Sequence, residues 1–74
     1  MVLDLVVKKT DDGFNADIPS VNGCDSWAHE EDEVIEKVVS MLRFYINLPE
    51  DHEIKIDRAR RNKNVTVYKL VFDK

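Results

Sequence analysis

Residues 31–47 read EDEVIEKVVSMLRFYIN, and this stretch decides the fold. Apolar side chains recur in it at helical spacing, which predicts one amphipathic helix. Acidic residues crowd its first turn, where carboxylates complement the positive end of the helix dipole. Pro49 lies past the predicted end and stops the helix. The apolar stripe is formed by Val34, Ile35, Val38, Leu42, Tyr45 and Ile46, and is widened by Val39, Met41 and Phe44.

The segments on both sides of this helix alternate between apolar and polar residues, as half-buried strands do. Turns are predicted at residues 11–13, where Gly13 is free to take a positive φ, and at residues 61–64. The fold class is therefore α+β, with a single helix packed on one face of one antiparallel-rich sheet in the order β-β-β-α-β-β. Residues 1–74 form a single domain. The predicted strands are residues 2–9, 14–18, 24–28, 53–59 and 65–72.

Both faces of the last predicted strand carry apolar side chains. Val65, Val67 and Val71 lie on one face, opposite an equally apolar second face. The first strand repeats this doubling, with Val6 on the second of its faces. Because one helix covers only one face, we predict that these four valines meet a partner. The lone Trp27 has two readings, either a core residue under the helix or an anchor of that partner interface.

A chain of 74 residues buries only roughly 60% of the surface that its unfolded form exposes, so domains of this size often need reinforcement. Cys24 is the only cysteine, which excludes an intrachain disulfide. Together with His29 and His52 it does not make the paired spacing of a structural zinc site. We therefore expect self-association into a homodimer or a higher homo-oligomer. No segment reads as a signal peptide or a membrane span, so we expect a soluble, cytoplasmic protein.

The charge balance favours a basic protein partner. The chain carries 15 acidic and 11 basic residues, a net charge of −4, which does not attract a phosphate backbone. One basic cluster lies at the predicted hairpin tip and could contact phosphate, but no aromatic residue is interleaved with it for base stacking. We therefore favour a solubility role for this tip over direct binding of nucleic acid. The tip consists of Arg58, Arg60, Arg61 and Lys63.

Two sets of residues are candidates for catalysis. Cys24 and His29 could act as nucleophile and base, but their odd separation on an extended segment points them to opposite faces. Asp4, Glu36 and Asp57 would have to converge from three elements to hold two metal ions. Asp4 lies opposite the apolar face of its strand, however, and Glu36 lies on the polar side of the helix. We predict no catalytic residue, no metal site and no cofactor, and therefore no enzyme.

A family resemblance rests on the central part of the chain. Phe14 opens a strand that ends at Pro19, and a short loop then ends in Gly23 and Cys24. A short strand, an acidic turn at residues 31–33 and the amphipathic helix follow. This pattern resembles the HicB-like antitoxin family over roughly half of the chain. The hairpin after the helix is similar to the small stand-alone members of that group, whose function is poorly defined.

The resemblance implies a partial ribonuclease-H-like fold without nuclease activity. Typical members bind and neutralise a small, basic, mRNA-cleaving toxin of the HicA type, form oligomers, and often repress their own operon through a C-terminal DNA-binding segment. Here the chain ends at Lys74, directly after the last strand, so we expect no operator binding. Glu30 replaces the serine or threonine often found at the helix start and is a poorer N-cap. Two alternatives stay open, an orphan homo-oligomer of undefined regulatory role and a weak RNA binder.

Overall fold

The computed structural model describes residues 1–73. Within them, five strands and one helix follow the order β-β-β-α-β-β, which confirms the predicted α+β fold class. All five strands form one sheet in the order β3-β2-β1-β5-β4, and each neighbouring pair is antiparallel. The elements are β1 (Val2–Lys9), β2 (Phe14–Asp17), β3 (Asp25–Ala28), α1 (Glu31–Tyr45), β4 (Lys55–Asn62) and β5 (Val65–Val71).

The inner side of α1 is formed by Val34, Val38 and Leu42, which recur every four residues and are completely buried. The helix packs against β2 and β3, so the spacing of these side chains determines how it lies on the sheet. Phe44, predicted to widen the apolar stripe, is 82% exposed instead. Two positions beyond Leu42 correspond to about 200° of rotation around the helix, which turns Phe44 away from the sheet.

The helix ends at Tyr45, before the predicted end at residue 47. Asn47 takes a left-handed conformation with φ of 58°. The Leu48 amide then donates to the Arg43 carbonyl oxygen at 2.8 Å, and the Asn47 amide donates to the Phe44 carbonyl oxygen at 3.3 Å. These two bonds form a Schellman motif, which satisfies carbonyl groups of the last turn. The helix is therefore terminated by Asn47, ahead of the proline that was predicted to stop it.

The hairpin after the helix is longer than predicted. β4 continues through Asn62, because Arg61 and Asn62 pair with Thr66 and Val65 of β5. The turn is consequently reduced to residues 63 and 64, and the prediction of a turn beginning at residue 61 is wrong. A register shift interrupts the pairing between Arg58 and Arg60. Every residue of β4 is exposed, since this strand forms one edge of the sheet and α1 packs over the opposite end, against β2 and β3.

Gly13, in the turn between β1 and β2, is required for a different reason from the predicted one. Among the described glycines only Gly23 has a positive φ, of 78°. A Cβ atom built on Gly13 would lie 2.4 Å from the Ala28 carbonyl oxygen and 2.4 Å from the Trp27 ring. The glycine therefore permits close approach of neighbouring groups, and no left-handed backbone is involved.

The core lies between one face of the sheet and the segment that runs from α1 to Leu48. Alternate residues of the strands enter it, including Leu5 of β1 and Leu70 of β5, both completely buried. Leu48, in the connection after the helix, joins the same cluster. We call this sheet surface the closed face. The predicted alternation in β1 is confirmed, because Leu5 and Val7 are buried whereas the residues between and beside them are not.

Candidate functional site

The opposite surface of the sheet, which we call the open face, is the candidate site. It carries the other set of alternating residues of each strand, and within residues 1–73 no helix or strand lies over it. Directly opposed residues in an antiparallel ladder point to the same side, so the register defines which residues belong to this face. They are Val2, Asp4, Val6, Lys8, Asn15, Asp17, Asp25, Trp27, Lys55, Asp57, Arg60, Asn62, Val65, Val67, Lys69 and Val71.

Valines occupy the centre of the open face. Val6 pairs directly with Val67, and Val65 lies one pair further along β5, opposite Lys8. Val71, 38% exposed, pairs with Val2 at the other end of the two central strands. The structure thus brings the four predicted interface valines onto one surface. Val2, which shares this face and is 59% exposed, was not selected from the sequence, although the alternation in β1 already placed it there.

An ion pair separates the two groups of valines. The Lys69 ammonium contacts the Asp4 carboxylate across β1 and β5, and Asp57 of β4 stands on the other side of Lys69. It is the one ion pair between residues 1 and 73. Both side chains are about half exposed, and ion pairs of this kind contribute on the order of 0–1 kcal/mol to stability. The pair therefore contributes little to holding the fold.

Trp27 lies on the open face, so its reading as a core residue under the helix is wrong. Its ring covers Gly13, and its Nε1 donates to the Thr10 hydroxyl oxygen at 3.3 Å. The His29 ring meets it edge-on with 4.7 Å between centroids. The indole is held in place by these contacts while 36% of the residue stays exposed. A fixed, partly exposed tryptophan is a suitable anchor for a protein contact, because little side-chain entropy is lost on binding.

Charge is distributed unevenly across the open face. Asp25 and Asp17 pair directly, which sets two carboxylates side by side on β3 and β2. Asp17 also pairs with Val6, and Val6 with Val67. Arg60 completes the row on β4, since it pairs with Val67. One row therefore runs from acidic, through apolar, to basic, and we call its two ends the acidic margin and the basic margin.

The predicted basic tip does not form one patch. Arg60 points to the open face, whereas Arg58 and Arg61 pair with Tyr68 and Thr66 and point to the closed side. Lys63 lies in the turn itself. Because the basic groups divide between opposite sides of the ribbon, a flat phosphate surface could meet only part of them.

An aromatic ring that the sequence did not associate with this tip is close to it. Phe14 of β2 lies beneath the Lys9 ammonium, with 5.0 Å from Nζ to the ring centroid. These two residues and Arg61 line a small hollow beside Glu31. Phe14 is distant from the tip in sequence and reaches it through the pairing of β2 with β1 and of β1 with β5, so no local pattern could have shown it.

The two catalytic candidates do not assemble. The Cys24 thiol is buried against α1, where Sγ lies 3.6 Å from the Val38 carbonyl oxygen, whereas His29 is exposed on the opposite face. Burial raises the pKa of the Cys24 thiol, and the charges of Asp25 and Asp17 raise it further, which disfavours the nucleophilic thiolate.

The carboxylates considered for metal ions are also separated. Asp4 and Asp57 lie on the open face with Lys69 between them, and Glu36 is on the helix beyond the other face. No group of three or more metal-ligating side chains occurs among the described residues. The arrangement of these residues thus offers no metal-binding geometry.

Tyr68 is the main polar contact beneath the helix. Its hydroxyl donates to Glu31 Oε2 at 2.8 Å, which joins β5 to the first turn of α1. Burial raises the pKa of Tyr68, the bond to Glu31 raises it further, and Arg58 acts in the opposite direction. A phenol that keeps its proton at neutral pH holds this bond, so Tyr68 serves to attach the helix to the sheet.

No helix in the described part of the chain is long and apolar enough to cross a membrane. Searches with family models, among curated proteins and among solved structures found nothing that matches this chain.

Proposed function

We propose that this chain is a non-catalytic protein-interaction module and that the open face is its docking surface. The observation that carries the proposal is the group formed by Val6, Val65 and Val67, which we call the valine centre. These side chains are partly exposed on a sheet whose other face is closed by α1. Partly exposed apolar side chains that adjoin one another, rimmed by charges, are typical of protein-binding surfaces. Trp27 at the rim supplies the kind of residue that contributes most to such contacts.

The resemblance to HicB-like antitoxins supports a more specific partner. In that reading the chain binds and neutralises a small, basic, mRNA-cleaving toxin of the HicA type. The net charge of −4 favours association with a basic protein, and the acidic margin formed by Asp17 and Asp25 places part of that charge beside the valines. Neutralisation would require only that the module cover the toxin, so no active site is needed on this chain.

Co-expression tests this function. The chain is expressed with the small basic protein encoded by the neighbouring gene, and growth and co-purification are measured. We expect the wild-type chain to restore growth and to retain the toxin. Val67→Asp, which places a carboxylate in the valine centre, should abolish both effects. Phe44→Asp is the matched control, because Phe44 is an exposed apolar residue on the far side of the helix.

The toxin assignment fails if no small basic neighbour is encoded or if none is neutralised. The open face is the wrong surface if Val67→Asp and Phe44→Asp retain the toxin equally well. The alternative of a homo-oligomer without a toxin uses the same face, and it is favoured by the arrangement of charges described next.

A further inference from the structure

The rows of the open face are arranged about a line that runs between β1 and β5, parallel to the strands. On the β1 side the valine row continues from Val6 to Asp17, and on the β5 side it continues from Val67 to Arg60. The next row towards the hairpin tip holds Asn15 on one side and Asn62 on the other. In these two rows valine is matched by valine, Asp17 by Arg60 and Asn15 by Asn62, each at the same distance from the line, and only Lys8 and Val65 differ in kind.

We propose that the open face docks against the open face of a second copy of this chain, with a two-fold axis along this line. The inference rests on the proposed function, because it uses the same docking surface, for which a second copy and a toxin would compete. The axis lies in the plane between the two sheets. Rotation by 180° about it places the β1 side of one copy over the β5 side of the other. Each β1 residue then meets the β5 residue of the partner, and each β2 residue meets a β4 residue of the partner.

The contacts produced by this operation are favourable. Val6 meets the partner's Val67, and Val2 meets the partner's Val71. Asp4 and Lys69, already paired within each chain, meet their counterparts with opposite charge across the axis. Each of these contacts occurs twice, as it must in an isologous dimer.

The charged margins are matched as well. Asp17 of the acidic margin meets the partner's Arg60, and Asn15 meets the partner's Asn62. One central position has no complementary partner, because Lys8 meets the partner's Val65. Lysine commonly lays its aliphatic stem over apolar surface while its ammonium stays in water, so this position is tolerated.

Sheet packing geometry preserves the contacts of the row that runs from Asp17 to Arg60. Two sheets packed face to face lie about 10 Å apart with their strands within about 30° of each other. Arg60 and Asp17 lie about 7 Å from the axis at ordinary strand spacing, so a 30° rotation displaces them by about 4 Å. An arginine side chain spans that displacement, and Val6 and Val67 of the same row move less, because they lie closer to the centre of rotation.

The edges of the sheet are poor alternatives for self-association. The β4 edge carries several charged residues and a register shift between Arg58 and Arg60, and both features oppose pairing with another strand. The β3 edge is only four residues long, and Lys37 donates to its Trp27 carbonyl oxygen at 3.3 Å. Contact through the face is therefore favoured over extension of the sheet.

The area of the face indicates how strong the dimer should be. Strands of up to eight residues, at about 3.3 Å per residue and about 4.8 Å between strands, give a face of roughly 500 Å² once the short β2 and β3 are allowed for. Two copies would bury on the order of 1,000 Å², the lower end of specific interfaces. We therefore expect association in the micromolar range, sensitive to single charge changes.

Charge-reversal variants test this arrangement of the dimer, with association measured by sedimentation equilibrium. Arg60→Asp and Asp17→Arg should each raise the dissociation constant about 100-fold, because each puts like charges opposite one another at two symmetric sites. An equal mixture of the two variants should dimerise again, since both margins of one chain then complement those of the other. Arg61→Asp is the matched control and should leave the dimer intact, because Arg61 points to the closed side.

The inference is overturned if the wild-type chain is monomeric at about 1 mM, well above a micromolar dissociation constant. It is also overturned if Arg60→Asp and Arg61→Asp act alike, or if the mixture stays monomeric. Circular dichroism checks that each variant folds; if Asp17→Arg does not, Asp4→Lys mixed with Lys69→Asp repeats the test in another row. If the chain is a monomer that still binds a basic toxin through Val67, the proposed function stands and the dimer is excluded. If the chain dimerises but binds no toxin, only the toxin is excluded as a partner.

Discussion

Leu5 and Val6 are neighbours in β1, but Leu5 is completely buried beneath the helix while Val6 lies half-buried on the open face. The closed face was completed by the chain itself, through α1 and the connection that carries Leu48. The open face has apolar residues of the same kind, at the same spacing, with charges set among them. If the open face is the docking surface that we propose, the amount of apolar surface does not separate such a surface from a core. The mixture of charges with valines on the open face is what a reversible contact requires.

The strongest test of this comparison truncates one apolar residue on each face. Leu42→Ala should lower the free energy of unfolding by roughly 2–5 kcal/mol, because it leaves a cavity at a completely buried position. Val67→Ala should lower it by about 1 kcal/mol or less in dilute solution, since Val67 is only partly buried. Urea unfolding followed by Trp27 fluorescence measures both.

Raising the protein concentration sharpens this result. If a second copy covers the open face, the loss caused by Val67→Ala should grow with concentration, whereas that of Leu42→Ala should not change in the same way. If both variants lose the same free energy of unfolding in dilute solution, the open face is part of the core and the distinction between the two faces is wrong.

A second test concerns Trp27, whose indole is held in place on the open face. Gly13→Ala should destabilise the chain by about 1–3 kcal/mol, because the added methyl group overlaps the Trp27 ring and the Ala28 carbonyl oxygen. Trp27 must then move, so its emission should shift as well. Gly23→Ala is the control: its Cβ meets no atom closer than 3.7 Å, and any loss comes from the positive φ without an indole shift. An unchanged emission spectrum for Gly13→Ala would contradict the contact.

A single hydrogen bond is tested at Tyr68, on the closed face. Tyr68→Phe removes one hydrogen bond to Glu31 and should lower the free energy of unfolding by about 1 kcal/mol at neutral pH. Because the pKa of Tyr68 is raised in the folded state, its contribution is complete below the ordinary tyrosine pKa near 10 and is lost as pH rises through the folded-state value. The wild type should thus lose stability above about pH 10 more steeply than Tyr68→Phe. If the free energy of unfolding, measured by urea titration, falls equally steeply with pH above about pH 10 in both proteins, this role is refuted.

Local patterns in the sequence were sufficient to predict the element order and the two faces of the sheet. Alternation in β1 and β5 assigns Val6 and Val67 to the same kind of position without knowledge of the pairing, because side-chain direction follows from strand geometry alone. The helix stripe predicts burial of Val34, Val38 and Leu42 for the same reason. These are properties of each element by itself, which is why they could be predicted.

Properties that depend on pairing could not be predicted in this way. The row from Asp17 to Arg60 exists only because β2 and β4 reach β1 and β5 in one particular register. The choice between the two readings of Trp27 likewise depends on how β3 pairs with β2. The end of β4 was misjudged at Arg61, where polar residues typical of a turn are held in the ladder by their partners. Register is set by contacts between distant segments, and no single stretch encodes it.

The buried thiol has a consequence for observing motion in this small domain. Cys24 is the only cysteine, and its Sγ lies between β3 and α1 against the Val38 backbone. A water-borne alkylating reagent can reach that sulfur only when a local opening exposes it. The labelling rate of the unmodified chain, relative to that of the urea-unfolded chain, therefore measures how often the structure around Cys24 opens, and it does so without adding any probe to the sequence.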